Sequence, residues 1–242
     1  MTKLDILVLP SHPDDAELYC SGTIAKHVAL GKKVGIADLT RGELGTRGSV
    51  EIRREEAAHA AAILNLTVRE NVGLPDGYFI NNAAHQLEVI RIIRKYQPEI
   101  VITNAILDRH PDHARGAELV EQACFYAGLR KIESKDTEGL VQEAWRPKMI
   151  LNFIQDTHLK PDILIDITPY WPLKVASIKA FKSQFYNPDW TGDEPQTYIS
   201  SPEFMEVAEA RAREFGRAIQ VKYAEGFTCK RLFGVDNLFN LI

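Results

Sequence analysis

Leu4-Asp5-Ile6-Leu7-Val8-Leu9-Pro10-Ser11-His12-Pro13-Asp14-Asp15-Ala16-Glu17 is an apolar run of strand length, closed by a proline and followed by a polar turn. Apolar residues throughout Ile6-Leu7-Val8-Leu9 fit a strand buried on both faces, as in parallel sheets. From Ala16 to Leu30 the pattern becomes helical, with Asp14 or Asp15 at the N-cap and Gly31 as the stop. The order is therefore strand, His-Pro-Asp turn, helix. It returns later in the chain: Glu99-Ile-Val-Ile-Thr103 reads as a strand, Arg109-His110-Pro111-Asp112-His113 follows, and Asp112 to Leu129 is helical.

Between and beyond these two units the same alternation holds. Strands are expected at 33–39, 67–74, 148–155 and 162–167, and helices at 49–64, 83–96, about 169–185 and 203–221. Strands alternating with helices imply βαβ units. The fold expected is a three-layer, Rossmann-like α/β domain over 1–242, with a mostly parallel sheet and helices on both faces. In such sheets ligands bind beyond the carboxyl ends of the strands, at a switch in strand order. Both His-Pro-Asp turns belong at such ends. The Pro/Gly/Asp-rich stretch 186–202 reads as a long loop, either a lid or a solvated connector.

Composition narrows the function classes. The chain has 242 residues, 45% hydrophobic and 26% charged, with net charge −4. Nothing there is a nucleic-acid footprint, which calls for a basic patch or high pI. A strand pattern begins at Leu4 without a basic n-region, so no signal peptide is expected. No apolar run approaches the roughly 18 residues of a membrane span. The 3 cysteines, Cys20, Cys124 and Cys229, are scattered without a C-x-x-C, which disfavours a disulfide framework or a thiolate zinc site. The expected location is the cytoplasm, with no membrane or nucleic-acid partner.

The two turns carry metal chemistry. Catalytic zinc sites use three protein ligands and keep one position open for water. His12 and Asp15, three apart across a proline turn, can face one point while Asp14 points elsewhere. His113, opening the helix after the second turn, supplies a third ligand. Taken singly, a loop histidine reads as a surface or capping residue, and Asp14 or Asp15 as an ordinary N-cap; it is the doubling at two strand ends that indicates a site. His27, His59 and His85 read as structural or solvent-facing, and His158, in a connector between strands, as a minor candidate.

With Ser-His-Pro-Asp-Asp-Ala-Glu at 11–17 and His-Pro-Asp-His at 110–113, the chain resembles the LmbE-like or PIG-L zinc N-deacetylases. Their signature is Ala-His-Pro-Asp-Asp-x-Glu followed by a later His-x-x-His; Ser11 in place of Ala touches no ligand. The resemblance extends through Thr40 to Gly48 and Ile52 to Ala57. Lys182-Ser183-Gln184-Phe185 and Tyr223-Ala224-Glu225-Gly226-Phe227 are similar to the bacillithiol-pathway subgroup, which deacetylates N-acetylglucosaminyl malate. The resemblance implies His12, Asp15 and His113 as metal ligands, Asp14 as general base and His110 as the group that steadies the oxyanion and protonates the amine. It implies Arg53 as a substrate contact and Tyr198 as a mobile-loop residue completing the site.

Zinc is the implied metal; ferrous iron also suits His₂Asp ligation. The implied assembly is a homo-oligomer such as a hexamer. Chemistry adds Arg109 as a second arginine able to fork onto substrate oxygens. Asp112 either orients His110 or caps its helix, and His110 can meet the oxyanion if held as imidazolium. Glu17 has no derived role beyond favourable charge at a helix N-terminus. Two other readings are a non-catalytic sugar-binding protein and a nucleotide-binding Rossmann protein. Against the first stand Asp14 and His110, which a binder does not need. Against the second, Gly42, Gly45 and Gly48 are spaced G-x-x-G-x-x-G after the second strand, not G-x-G-x-x-G after the first.

Overall fold

In the computed structural model, which describes residues 2–241, seven strands form one sheet: β1 (Ile6–Leu9), β2 (Val34–Asp38), β3 (Val68–Asn71), β4 (Ile100–Thr103), β5 (Met149–Phe153), β6 (Ile163–Asp166) and β7 (Ala224–Thr228). Six helices accompany them: α1 (Asp15–Ala29), α2 (Val50–Ile63), α3 (Ala83–Tyr96), α4 (Pro111–Ala127), α5 (Trp171–Lys179) and α6 (Phe204–Ala218). The strand order is β3-β2-β1-β4-β5-β7-β6. The first five strands of that order are parallel; β7 runs antiparallel to both β5 and β6. The fold is thus α/β with a mostly parallel sheet, as expected. Among the described residues no helix is long and apolar enough to cross a membrane.

Every residue of β1 is buried, and alternate side chains serve opposite layers. Leu7 and Leu9 join Val101 and helices α3 and α4 in one core, whereas Ile6 and Val8 join Ile102 and α1 in the other. Burying a side chain of this size stabilises by roughly 1.5–3 kcal/mol, so β1 is held from both faces. A third cluster, with Leu18, Ala57, Ala60 and Ile178, packs α1, α2 and α5 together on the α1 side.

This layering places the site. The chain moves outward from β1 through β2 to β3, then returns to set β4 on the other flank of β1. The crevice between the ends of β1 and β4 is the topological switch point. Pairing of Leu9 with Thr103 in register brings the two His-Pro-Asp turns abreast.

Two elements differ from expectation. Helix α5 stops at Lys179 instead of continuing to 185, because the Glu56 carboxylate binds both the amide and the hydroxyl of Ser183, each at 2.7 Å. That contact, with Phe181 and Phe185 buried beside it, accompanies the turn that 181–185 form in place of a helix. Strand β7 went unread: Ala-Glu-Gly-Phe-Thr lacks both alternation and a continuous apolar run. It is a strand because it fills the slot between β5 and β6, buried at all positions.

Candidate active site

Loops following β1, β2, β3, β4 and β5 meet over the switch point and enclose a cavity of about 260 Å³, lined among others by His12, Asp14, Asp15, Arg53, His110 and His113. Ser11 holds the first turn: its amide donates to Asn104 Oδ1 (2.6 Å), its hydroxyl donates to the Asp112 carbonyl (3.0 Å), and its own carbonyl accepts from the Thr40 hydroxyl (2.9 Å). A small residue is needed there, since a Cβ at Gly116 would stand 2.4 Å from the Ser11 oxygen.

Asp15 is the centre of the cluster. Its Oδ2 lies 3.4 Å from His12 Nδ1 and its Oδ1 lies 3.2 Å from His113 Nε2. Asn104 and Gln155 amides donate to the same carboxylate at 3.0 and 3.2 Å. The far nitrogen of each imidazole meets carboxylate: His113 Nδ1 faces Asp108 Oδ2 at 2.6 Å, and His12 Nε2 faces Asp76 at 3.0 Å and Asp112 at 3.3 Å. Those partners accept only, so the ring protons belong on His113 Nδ1 and His12 Nε2. The lone pairs of His113 Nε2 and His12 Nδ1 are left pointing at Asp15. Three donor groups turned on one another call for positive charge among them. Burial opposes charge on His113, yet Asp15 and Asp108 prevail and lift it to about 9. A divalent cation answers the same field. His12, Asp15 and His113 therefore fit the donor set of a mononuclear zinc or ferrous site, and carboxylates behind the imidazoles are the usual second layer of such sites.

His110 stands close to both histidines, its nitrogen within 4.8 Å of theirs. It differs in one respect: as N-cap of α4, its Nδ1 accepts the Asp112 amide N–H at 3.2 Å. The proton must then sit on Nε2, which is unavailable as a ligand. The same bond favours a neutral ring over the imidazolium. Burial, together with the charges of His12 and His113, holds His110 below the usual histidine range. A neutral imidazole at a helix N-terminus still offers an N–H to a developing oxyanion.

Asp14 occupies the N-cap position of α1 but makes no capping bond; its φ of 110° is in the left-handed region. For a residue other than glycine this conformation costs on the order of 1–3 kcal/mol and is concentrated at functional sites. Here it turns the carboxylate toward Arg53, whose Nη2 bonds Oδ2 at 2.7 Å. Burial pushes Asp14 up to about 7, against the pull of that guanidinium. Arg53 also donates to the Pro13 carbonyl and to the Gly42 carbonyl. Gly42 must be glycine for this: its φ is +66°, and a Cβ would come within 2.2 Å of Arg53 Nη1. Arg53, expected to contact substrate, is thus engaged first with Asp14.

The other expected residues are placed as follows. The Asp112 carboxylate turns to His12, the Gly77 amide and Arg115; only its backbone reaches His110, so it does not orient that ring as one of its expected roles required. Arg109 lines the cavity mouth, paired with Asp156 at 2.7 Å and lying 4.6 Å over the Tyr198 ring. Tyr198 donates to the same Asp156 at 3.1 Å and sits at the rim, while its neighbour Ile199 lines the cavity. His158 is exposed and does not line it. Glu17 is fully buried beneath the site, tied to Arg69, which also grips Asp38. Sequence reading missed Asp76, Asn104, Asp108, Gln155 and Asp156. All lie just beyond strand ends, the one signal that marked them.

Fold and site together define an α/β protein with a His-Asp-His cluster at its switch point. The family described as PIG-L, GlcNAc-PI de-N-acetylase, matches residues 7–124. A conserved protein of known structure from Thermus thermophilus is 33% identical, with a TM-score of 0.84 over 96% of this chain and 98% of that one. The diacetylchitobiose deacetylase of Thermococcus kodakarensis is 29% identical over 91% of this chain and 81% of its own length. The 1D-myo-inositol 2-acetamido-2-deoxy-alpha-D-glucopyranoside deacetylase 1 of Saccharopolyspora erythraea is 24% identical over 74% and 77%. Over residues 7–124 the chain matches the PIG-L family, and along most of its length it is similar to the deacetylases just named.

Proposed function

We propose that this protein is a metal-dependent hydrolase that removes the N-acetyl group from N-acetylglucosaminides. The observation that carries the reading is the Asp15 carboxylate set between His12 Nδ1 and His113 Nε2, with Asp14 lining the same cavity. The relatives named above support the sugar: one acts on diacetylchitobiose and the other on an inositol conjugate of 2-acetamido-2-deoxyglucose. They favour the wider class of N-acetylglucosamine conjugates and chitooligosaccharides over the malate conjugate in particular.

His12, Asp15 and His113 would hold a zinc or ferrous ion, which would supply Lewis acidity and make water more acidic there. Asp14 takes the nucleophile's proton and passes it to the departing amine as the C–N bond breaks, a task suited to a carboxylate lifted toward neutrality; such a base contributes ~10²–10⁴-fold. His110 donates its Nε2–H to the carbonyl oxygen as negative charge develops there, an interaction often worth roughly 3 kcal/mol. Arg53 holds Asp14 in place and keeps it ionised. Arg109 at the cavity mouth, with Tyr198 packed against it, supports a role for this pair in meeting the part of the substrate beyond the sugar.

The test is acetate release by protein loaded with zinc or with ferrous iron. The panel is diacetylchitobiose, N-acetylglucosamine, and its inositol and malate conjugates. Turnover of at least one conjugate or the disaccharide is expected; no acetate from any of the four with either metal refutes the reading.

A further inference from the structure

Asp76 follows β3 in the turn Leu74-Pro75-Asp76-Gly77, remote in sequence from both His-Pro-Asp units, yet its side chain is only 7% exposed and faces the cluster. Both carboxylate oxygens and the amide have one partner each. Oδ1 lies 3.0 Å from His12 Nε2. Oδ2 accepts the Leu44 amide at 2.9 Å, and the Asp76 amide donates to Glu43 Oε1 at 3.0 Å. Asp112 is the competing partner for His12, but at 3.3 Å, and its carboxylate already serves the Gly77 amide and the Arg115 guanidinium. Among the described residues Asp76 has no arginine or lysine partner.

We infer that Asp76 is a positioning residue for the metal site: it fixes the proton of His12 on Nε2, so that the Nδ1 lone pair is presented beside Asp15. This rests on the metal reading proposed above. Through Glu43 and Leu44 it also anchors the loop after β2, whose Leu44 and Gly45 form a wall of the cavity.

Asp76→Asn separates positioning from mere space-filling. The Leu44 N–H requires an oxygen, which turns the new amide nitrogen toward His12 Nε2. A donor there favours a proton on Nδ1, the atom needed for the metal. Loss of such an outer carboxylate costs typically 10–100-fold in metal affinity. Zinc affinity is read by competition with a chromophoric chelator, and the His12 tautomer by long-range ¹H–¹⁵N NMR of the metal-free protein at a pH high enough to leave the ring neutral. Wild type is expected to carry the proton on Nε2 and to bind zinc; Asp76→Asn is expected to shift the proton to Nδ1 and raise the zinc dissociation constant at least tenfold. A neutral wild-type His12 ring with its proton on Nδ1 overturns the inference without any variant. So does a variant whose zinc affinity stays within twofold or whose tautomer is unchanged. Wild type that binds no zinc, by contrast, refutes the metal reading itself.

Discussion

Replacing Arg53 by methionine tests whether that arginine serves the catalytic carboxylate or the substrate. Its Nη2 stands 2.7 Å from Asp14 Oδ2, with the two side chains 6% and 11% exposed. Unit charges about 4 Å apart interact by ~4 kcal/mol at an effective dielectric of about 20. At 1.36 kcal/mol per unit that sets a ceiling of about 3 pK units, and pairs of this kind shift carboxylates by roughly 1–3. Arg53 lowers the Asp14 pKa, burial raises it, and together they leave it at about 7. Removing the guanidinium leaves burial unopposed, so the pKa rises. The base acts ionised; the rising limb of kcat/KM against pH must therefore move to higher pH, by about 1–3 units. Near neutrality this appears as a ~10- to 1000-fold loss that alkaline buffer largely restores. Steady-state acetate release from pH 5 to 10, on metal-loaded protein with its metal content checked, measures it. A limb that stays in place while KM alone rises would make Arg53 a substrate contact and refute the argument.

Two further outcomes separate the roles within the site and beneath it. Asp14→Asn is expected to retain metal and lose ~10²–10⁴-fold in kcat, whereas Asp15→Asn or His113→Ala is expected to lose metal; metal analysis beside acetate release decides, and full activity in Asp14→Asn sinks the base assignment. Lys174, buried, bridges Glu225 at 2.6 Å and the Leu18 carbonyl at 2.7 Å. Lys174→Met strands a buried carboxylate and is expected to cost ~3–5 kcal/mol in urea unfolding, with Glu225→Gln in the same chain recovering part of it; an additive double variant would show the pair uncoupled.

The inner parallel strands β1, β2 and β4 were legible because they are buried on both faces and leave apolar or strongly biased runs. Ile6 to Leu9 and Ile100 to Thr103 needed no partner to be recognised. β7 needed one. Ala224-Glu225-Gly226-Phe227-Thr228 is a strand only because β5 and β6 leave an antiparallel slot. Glu225 is tolerated inside it because the Gly22 and Thr23 amides of α1, at 3.0 and 2.7 Å, and the Lys174 ammonium, at 2.6 Å, take up its carboxylate. Neither condition is local, so neither is written in the segment itself. The end of α5 fails for the same reason: Ser183 answers to Glu56, 127 positions away.

The site divides along a similar line. Residues in the two His-Pro-Asp turns were readable because their spacing places them around one point, and the structure brings His12, Asp14, Asp15, His110 and His113 into one cavity. The layer that decides what each can do comes from elsewhere. His110 and His113 have similar surroundings in sequence, yet their proton positions are set by different partners. The Asp112 amide fixes the first, and Asp108 the second. That difference of one acceptor against one donor leaves His113 with a lone pair facing Asp15 and His110 with an N–H for an oxyanion. Spacing can nominate imidazoles; only the group behind each ring assigns its role. Spacing therefore speaks to which side chains share a cavity, whereas the charge of His110 and the partner of the Asp112 carboxylate depend on groups that spacing does not name.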